Sequence, residues 1–311
     1  MKLPWRWGVG LLALAFLTGQ ARGQDLYALS GNTILQITPE GAVSTFASYD
    51  VNTTTYGLAF NSTGTMFVSV YNNMTGGRID EISRGGTVRT FVPGIDTYGL
   101  AFNSTGTLYA TNLDLHAVSA ITTGGVVSTF ATGFSQPRDL TCVGDTLYVA
   151  DTGSAAVDAI SSGGAVSAAV GPEQMGLTPT VLVTDGSAGL WTGSPFDNGD
   201  LSSLYGFPQG GNPFTFRSDL DAPITGMAFK DPSLMYYAQD SDGTISVINF
   251  NSDDLSPQIF LTGIGANELA FSTVPEPAAA PAVMGLAVLA AGVWRSKRNP
   301  STSSGQGIPE C

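Results

Sequence analysis

The sequence is poor in the residues that most catalytic and metal sites use. Its 311 residues include two cysteines, Cys142 and Cys311, and one histidine, His116. Cys142 falls in a predicted strand and Cys311 is the last residue, so the sequence does not predict a structural disulfide. There is no second histidine for a zinc site and no Gly-x-Ser-x-Gly elbow for a serine triad. We therefore expect His116 to be an exposed residue of a turn.

Charged residues are also scarce, at 12% of the chain, and they are unevenly distributed. Between residues 24 and 274 there are six basic and 23 acidic residues, a net charge of −17. An acidic exterior repels nucleic acid and anionic lipid, so neither is expected as a partner recruited by charge. Cations and neutral glycans are the ligand classes that this charge does not exclude. Glycine is the commonest residue type, at 39, and its abundance beside many Thr, Val, Tyr and Phe residues favours an all-β protein with many tight turns.

Residues 1–23 have the layout of a secretory signal peptide. A basic start precedes an apolar run over 8–17 and a small-residue exit over 19–23. Cleavage could follow Ala21 or Gly23, and we favour Gly23. A short membrane anchor is the alternative, but the apolar run is shorter than the roughly 20 residues that a bilayer span needs. The sequence therefore predicts export.

A second apolar segment lies near the C-terminus. Residues 278–294 carry no charge, and as a helix they would span about 25 Å, the lower limit for crossing a bilayer. Few of them are strongly apolar. Three basic residues follow, Arg295, Lys297 and Arg298, and they would hold that end in the cytoplasm. We interpret the segment as a marginal transmembrane helix, suited to pausing a chain for processing.

The stretch from Val274 to Arg298 resembles the PEP-CTERM sorting signal, because a Val-Pro-Glu-Pro box precedes the apolar helix and the basic cluster. The resemblance implies that an exosortase in the inner membrane of Gram-negative-type bacteria recognises Pro275, Glu276 and Pro277 and cuts near them. The membrane-anchored intermediate would then become a cell-surface or extracellular protein, often in organisms that make exopolysaccharide. Residues 299–311 depart from the pattern, since such signals usually end sooner, and their polar composition predicts disorder. An ordinary single-span anchor with a proline-rich linker is the alternative.

Between these two ends, residues 24–273 contain a repeat. YGLAFNSTGTMFVSV begins at Tyr56 and YGLAFNSTGTLYATN begins at Tyr98, and weaker copies follow. The first apolar residues of the copies, which are 42, 40, 41, 46 and 42 residues apart, are Leu58, Leu100, Leu140, Val181, Met227 and Leu269. A period near 42 with four short strands in each unit predicts a β-propeller rather than a helical solenoid.

The two ends of the repeat region predict how the ring closes. After residue 24 the chain reads DLYAL, ILQIT and AVSTF, which correspond to second, third and fourth strands without a first. The last copy, residues 267–273, is a first strand with nothing after it. Together they would form one composite blade that removes the open edge of the ring. Five complete units and one composite unit predict six blades.

The sequence from Pro137 to Gly153 resembles the NHL repeat, and more loosely the senescence-marker/gluconolactonase group of propellers. At the level of architecture, the resemblance extends over the whole repeat region. In such propellers the first strand of each blade lines a central channel, and the residues before it face the mouth where ligands bind. The candidate ligand residues at the corresponding positions are Tyr56, Tyr98, Arg138, Asp139, Asn267 and Glu268.

A purely structural spacer without a ligand remains open at this point, beside two functions that involve a ligand. One is an exported surface or matrix protein that needs no cofactor and uses the propeller as a binding platform for exopolysaccharide or surface proteins. The other, implied by the gluconolactonase resemblance, is a lactonase or esterase that holds one calcium or zinc ion between Glu, Asn and Asp side chains. Asp139, Asn267 and Glu268 would supply only part of such an oxygen shell, because two Tyr and one Arg occupy other mouth positions. We therefore favour the binding platform.

Overall fold

The alternating apolar and polar residues of the repeat form strands throughout the part of the chain that the computed structural model describes. That part comprises residues 24–175, 178–186, 189–197, 201–207, 213–220, 222–239 and 243–272. It also holds a 3₁₀ turn at Thr152–Ser154 and one helical turn, α1, at Pro172–Met175. The predicted signal peptide (1–23), sorting segment (274–298) and tail (299–311) lie outside the described residues. No helix within the described ranges is long and apolar enough to span a membrane.

The strands form six antiparallel sheets of four strands, each of which is one blade. From the innermost strand outward, blade 1 consists of β24 (Glu268–Phe271), β1 (Leu26–Ser30), β2 (Thr33–Ile37) and β3 (Val43–Ser48). Blade 2 consists of β4 (Thr53–Phe60), β5 (Met66–Asn72), β6 (Gly76–Ile82) and β7 (Val88–Pro93). Blade 3 consists of β8 (Leu100–Phe102), β9 (Leu108–Asn112), β10 (Ala117–Ile121) and β11 (Val127–Thr132). Blade 4 consists of β12 (Pro137–Val143), β13 (Thr146–Asp151), β14 (Ala156–Ile160) and β15 (Val166–Val170). Blade 5 consists of β16 (Val181–Thr184), β17 (Leu190–Asp197), β18 (Leu201–Phe207) and β19 (Phe214–Leu220). Blade 6 consists of β20 (Ile224–Asp231), β21 (Leu234–Gln239), β22 (Thr244–Asn249) and β23 (Gln258–Leu261).

The repeated Asn-Ser-Thr-Gly sequence forms the turn between the first two strands of blades 2 and 3. Asn61 Oδ1 accepts hydrogen bonds from the backbone N–H of Thr63 at 3.0 Å and of Thr65 at 2.9 Å. Gly64 has a φ of +77°, which favours glycine. The same bonds recur at Asn103. Local turn chemistry therefore fixes where each innermost strand ends.

The ring closes through the composite blade, as the sequence predicts. β24 pairs with β1 in antiparallel register, with Leu29 opposite Glu268 and Leu26 opposite Phe271. On its faces β24 contacts β20 of blade 6 and β4 of blade 2, so each innermost strand has a neighbour on both sides. Because β24 starts where β1 ends, Leu26 and Phe271 lie together at the end of the ring opposite to Glu268.

The hydrophobic core is divided into six clusters, each lying between two adjacent blades. An aromatic motif recurs in three of them. Tyr27 of β1 packs edge-on against Phe46 of β3, with ring centroids 5.0 Å apart, and against Phe60 of the next blade at 5.2 Å. Equivalent triplets are Phe67, Phe91 and Phe102, and Tyr236, Phe260 and Phe271. The clusters use residues from Leu26 to Phe271, so this range holds a complete core.

Cys142 occupies the position of the third aromatic residue in the cluster between blades 3 and 4. Tyr109 and Phe130 supply the other two, with ring centroids 4.9 Å apart. The Cys142 thiol is half-buried, and this burial raises its pKa to about 11. It therefore stays protonated near neutral pH and acts as a small apolar side chain.

The outermost strands carry bulges at their aromatic residues. In blade 1, Ile34 pairs with Ala47 and Leu35 pairs with Thr45, so Phe46 is an extra residue in β3. The same shift leaves Phe91, Phe130 and Phe260 as extra residues in blades 2, 3 and 6. A bulge bends and twists the strand that carries it. The bulges therefore turn the phenyl rings inward and make the exposed edges poor partners for other strands.

Glycine at the start of the innermost strands allows neighbouring blades to approach closely. A Cβ on Gly57 would overlap the carbonyl oxygen of Tyr98 in the next blade. A Cβ on Gly226 would lie 2.7 Å from Cα of Glu268, which no real Cβ tolerates. The contact is between main chains, so relief requires the blades to move apart.

We expect Gly57→Ala to lower the free energy of unfolding by about 1–3 kcal/mol, the usual cost of an overpacked site. Gly85→Ala is the matched control, because Gly85 lies in a turn where the nearest atom, Ser83 Oγ, is 3.9 Å from the added Cβ. That change should be neutral or stabilising by up to about 1 kcal/mol, since alanine restricts the unfolded chain. Urea unfolding of both variants measures the difference, and equal stabilities would refute the close-packing argument.

Candidate functional site

The innermost strands all begin at the same end of the ring, where they surround a cavity of about 580 Å³. This mouth cavity is lined by all six residues that the sequence predicts to face it, namely Tyr56, Tyr98, Arg138, Asp139, Asn267 and Glu268. They come from four blades and are separated by up to 212 positions along the chain. Repeat geometry therefore brings the predicted set together, while its role in binding remains a prediction. The volume lies within the range of small-molecule sites, roughly 300–1,000 Å³.

Two acidic residues stand at the floor of the mouth cavity on opposite sides of the channel. Asp139 belongs to β12 and Glu268 to β24, which are three blades apart in a ring of six. Both residues also line a second cavity of about 300 Å³ deeper in the channel. The pair therefore forms the boundary between the mouth and the deeper channel.

Backbone amides hold both carboxyl groups in place. Asp139 Oδ2 accepts a hydrogen bond from the Leu182 N–H of the next blade at 2.6 Å, and Oδ1 accepts one from the Leu140 N–H at 2.8 Å. Glu268 Oε1 accepts one from the Leu269 N–H at 3.0 Å. Gly99 leaves the room that Asp139 needs, because a Cβ there would lie 2.7 Å from Asp139 Oδ1.

The environment of the pair disfavours negative charge. Burial raises the pKa of Asp139 to about 7 and raises the pKa of Glu268 well above its usual value, and the charge of Asp139 raises Glu268 further. The backbone hydrogen bonds oppose these shifts without cancelling them. The ion pairs formed within the described residues, Arg78–Asp80 and Arg89–Glu81, do not involve either acid. The two carboxyl groups therefore keep their protons to a higher pH than most carboxyl groups do.

An aromatic pair forms one wall of the mouth. The rings of Tyr56 and Tyr98, from adjacent blades, have centroids 4.6 Å apart and a tilt of 36°. The same two residues line a side cleft of about 210 Å³ together with Tyr71, Asp96 and Asp114. Burial, followed by the neighbouring Tyr98, Tyr71 and Asp96, raises the pKa of the Tyr56 hydroxyl. The cleft continues the mouth cavity towards the rim of the propeller.

Threonine hydroxyls add hydrogen-bond acceptors to the mouth. Thr152 Oγ1 donates to the Pro179 carbonyl at 2.7 Å, Thr180 Oγ1 to the Gly193 carbonyl at 3.2 Å, and Thr225 Oγ1 to the Ala266 carbonyl at 2.5 Å. Each hydroxyl proton is used by the backbone, so the oxygen lone pairs remain for a ligand. The apolar side chains of Val181 and Ile224 lie between them.

The donor set does not fit the metal site that the gluconolactonase resemblance implies. No group of three or more His, Cys, Asp or Glu side chains suited to a metal occurs among the described residues. Calcium takes six to eight oxygen ligands, whereas the mouth offers two carboxyl groups and the Asn267 amide. His116 is not a cavity-lining residue. As expected it lies exposed on a turn, with Nδ1 2.6 Å from the Ser135 carbonyl oxygen.

The side cleft was not predicted from the sequence. Tyr71 is the second-last residue of β5, whereas Asp96 and Asp114 lie in loops. None of the three falls at the repeated position from which the mouth residues were selected. The signal that would have identified them is topological, because the loops that join β5 to β6, β7 to β8 and β9 to β10 must lie at the mouth end of the ring.

Comparison with solved structures identifies the fold type. No family model matches the sequence, and no curated protein matches it. A chain of a nidogen/laminin complex has a TM-score of 0.68 at 13% identity, over 80% of this chain and 98% of that one. The fold is a six-bladed β-propeller. A streptogramin B lyase matches with a TM-score of 0.59 at 15% identity, over 81% of this chain and 89% of that one. A gluconolactonase from Xanthomonas campestris matches with a TM-score of 0.58 at 15% identity, over 80% and 91%.

The acid pair should make stability depend on pH. The folded state keeps these protons to a higher pH than the unfolded chain, whose carboxyl groups have a pKa of about 4. The free energy of unfolding therefore falls as the pH rises from about 4 through the folded pKa of Asp139, which is about 7. We expect Glu268→Gln to reduce this fall, since glutamine still accepts the Leu269 N–H bond and carries no charge.

Urea unfolding at about pH 5 and about pH 8 measures the effect. Asp145→Asn is the control, because Asp145 is exposed on the turn after β12, at the end opposite to the mouth, and its loss changes net charge equally. If both variants showed the same pH dependence as the unmodified protein, the acid pair would not be ionising as described.

Proposed function

We propose that this protein is exported, sorted at its PEP-CTERM-like segment and displayed as a surface or matrix protein whose propeller mouth binds an extracellular glycan. The observation that carries the binding proposal is the mouth cavity of about 580 Å³ with the Tyr56–Tyr98 pair as its wall. Aromatic rings present flat apolar faces, and the threonine and carboxyl oxygens around them accept hydrogen bonds from hydroxyl groups. Sugars offer both kinds of surface.

The chemistry of the mouth favours binding over catalysis. The described residues that line it include no histidine, cysteine, serine or lysine. Serine, cysteine and lysine are common nucleophiles and histidine is the commonest general base, so Asp139 and Glu268 are the acid–base groups left in the mouth, with none of these nucleophiles in its lining. The metal-dependent lactonase alternative needs a donor set that these residues do not supply. A closed ring whose six clusters all lie between blades is instead suited to holding ligand residues in fixed positions.

The structural comparisons are consistent with a platform and do not specify a ligand. The nidogen/laminin chain belongs to a protein complex, whereas the streptogramin B lyase and the gluconolactonase are enzymes. One fold thus serves binding and catalysis, so the argument rests on the side chains of the mouth. Surface proteins are a second class of partner consistent with the acidic exterior.

The sorting part of the proposal rests on residues 274–298 alone. The Pro-Glu-Pro box directly follows the described propeller, which ends at Ser272. Exosortase and the export machinery would be the partners of this segment, and the inner membrane would hold the intermediate through residues 278–294. Cutting near Pro275 would release a propeller with every blade complete.

Tyr98→Ala should weaken glycan binding by about tenfold or more, because it removes half of the aromatic wall. Residues 24–272, which hold the complete core, are screened on a glycan array, and the affinity for the best glycan is then measured by calorimetry. Val126→Ala is the control, since Val126 is 65% exposed on a turn away from the mouth. If no glycan is retained, or if the two variants bind equally, the mouth is not a glycan site.

Glu276→Ala should leave the protein at its unprocessed size in the membrane fraction. The carboxylate lies between two prolines in the box that an exosortase would read, so its loss should prevent cutting. Immunoblots of membrane, surface and medium fractions from an exosortase-containing bacterium measure size and location. Glu310→Ala, outside the sorting segment, should behave like the unmodified protein. Unchanged processing of Glu276→Ala would exclude the sorting role.

A further inference from the structure

The floor of the mouth carries two carboxyl groups that take part in neither ion pair of the described residues. These groups, of Asp139 and Glu268, accept hydrogen bonds from backbone amides. Both side chains are half-buried and face the two channel cavities. Partly desolvated carboxylates are costly unless a cation pairs with them. A ligand that brings a positive charge to the floor of the mouth would supply the missing partner.

We infer that the mouth recognises a glycan through a free amino group, with the ammonium of an amino sugar between Asp139 and Glu268 and the sugar ring against Tyr56 and Tyr98. This inference rests on the proposed function and specifies its ligand class. An ammonium group has three donors and suits two carboxylates on opposite sides of a channel. Acetylation of the amine would remove both the charge and two of the donors.

The walls of the mouth favour an organic cation over a bare metal ion. The tyrosine pair also lines the mouth and offers ring contacts that a metal ion cannot use. The faces of tyrosine rings also attract cations. Arg138, exposed at the rim, can donate hydrogen bonds to sugar oxygens. A sugar that carries an amine therefore uses the floor, the wall and the rim together.

The side cleft extends the site beyond a single sugar unit. It shares Tyr56 and Tyr98 with the mouth and adds Tyr71, Asp96 and Asp114, so the two cavities adjoin. Its two carboxylates repeat the combination of aromatic and acidic groups found in the mouth. An oligosaccharide with an amine on successive units would meet acids in both cavities. The net charge of −17 between residues 24 and 274 would also attract such a polycation.

The test compares four ligands by calorimetry with residues 24–272 at about pH 6 and at about 0.3 M salt, which screens non-specific attraction. At this pH sugar amines are protonated, and an ammonium that pairs with Asp139 and Glu268 would displace the protons of the two carboxyl groups. The ligands are a β-1,4-linked glucosamine hexamer, its N-acetylated counterpart, the neutral glucose hexamer and spermine. We expect the glucosamine hexamer to bind at least about tenfold more tightly than the other three.

Variants locate the contact. Glu268→Gln should remove most of the preference for the free amine, whereas Asp145→Asn, which loses the same charge on the opposite face, should keep it. Thermal unfolding confirms that each variant is folded. The comparison of the free and acetylated hexamers needs no variant, so the amino contact can be judged even if Glu268→Gln fails to fold.

The contrary outcomes separate this inference from the proposed function. Equal binding of the acetylated or neutral hexamer would refute the amino contact and leave the glycan platform standing. Equal binding of spermine would refute the sugar contact. Stabilisation by calcium that Glu268→Gln abolishes would show that the acid pair is a metal site. Failure of every hexamer and every arrayed glycan would refute the proposed function as well.

Discussion

Each blade has two apolar faces, and a single four-stranded sheet cannot bury both. Packing face to face solves this problem only if the row of blades returns to its start, because an open row leaves two faces in water. The aromatic triplets show how the packing is specified, since two rings come from one blade and the third from the next. Closure through β24 and β1 therefore stabilises every blade, and the channel and its mouth are consequences of that closure.

The same packing restricts what can stand at the mouth. Glycine occupies three of the six equivalent positions at the start of the innermost strands, and at Gly57 and Gly226 the neighbouring main chain leaves no space for a Cβ. Asp139 and Glu268 occupy two of the remaining positions, where burial disfavours their charge. An acid retained at a cost to stability indicates a functional role. The packing of the blades thus does not account for the presence of the acid pair, whereas a role in ligand binding does.

Sequence reasoning succeeded where position in the repeat maps directly onto position in space. The period located all six blades, and the incomplete copies at the two ends located the composite blade. The positions one and two residues before each aligned apolar residue located the mouth residues. The raised pKa values of Asp139 and Glu268 were not predicted, because they depend on depth in the channel and on desolvation. The side cleft was missed because Asp96 and Asp114 lie in loops that differ between repeats. Export and sorting remain predictions, since residues 1–23 and 274–298 lie outside the described part.

The positions of Leu26 and Phe271 have a consequence for orientation. Both lie at the end of the ring opposite to Glu268, so the chain enters and leaves the propeller on the face away from the mouth. A propeller tethered through either flank would therefore be held by the face opposite to the mouth, and its cavity would face the medium. Cutting the tether would free the molecule without altering the cavity. Under the proposed display and processing, the cavity would therefore be open to the same ligands before and after release.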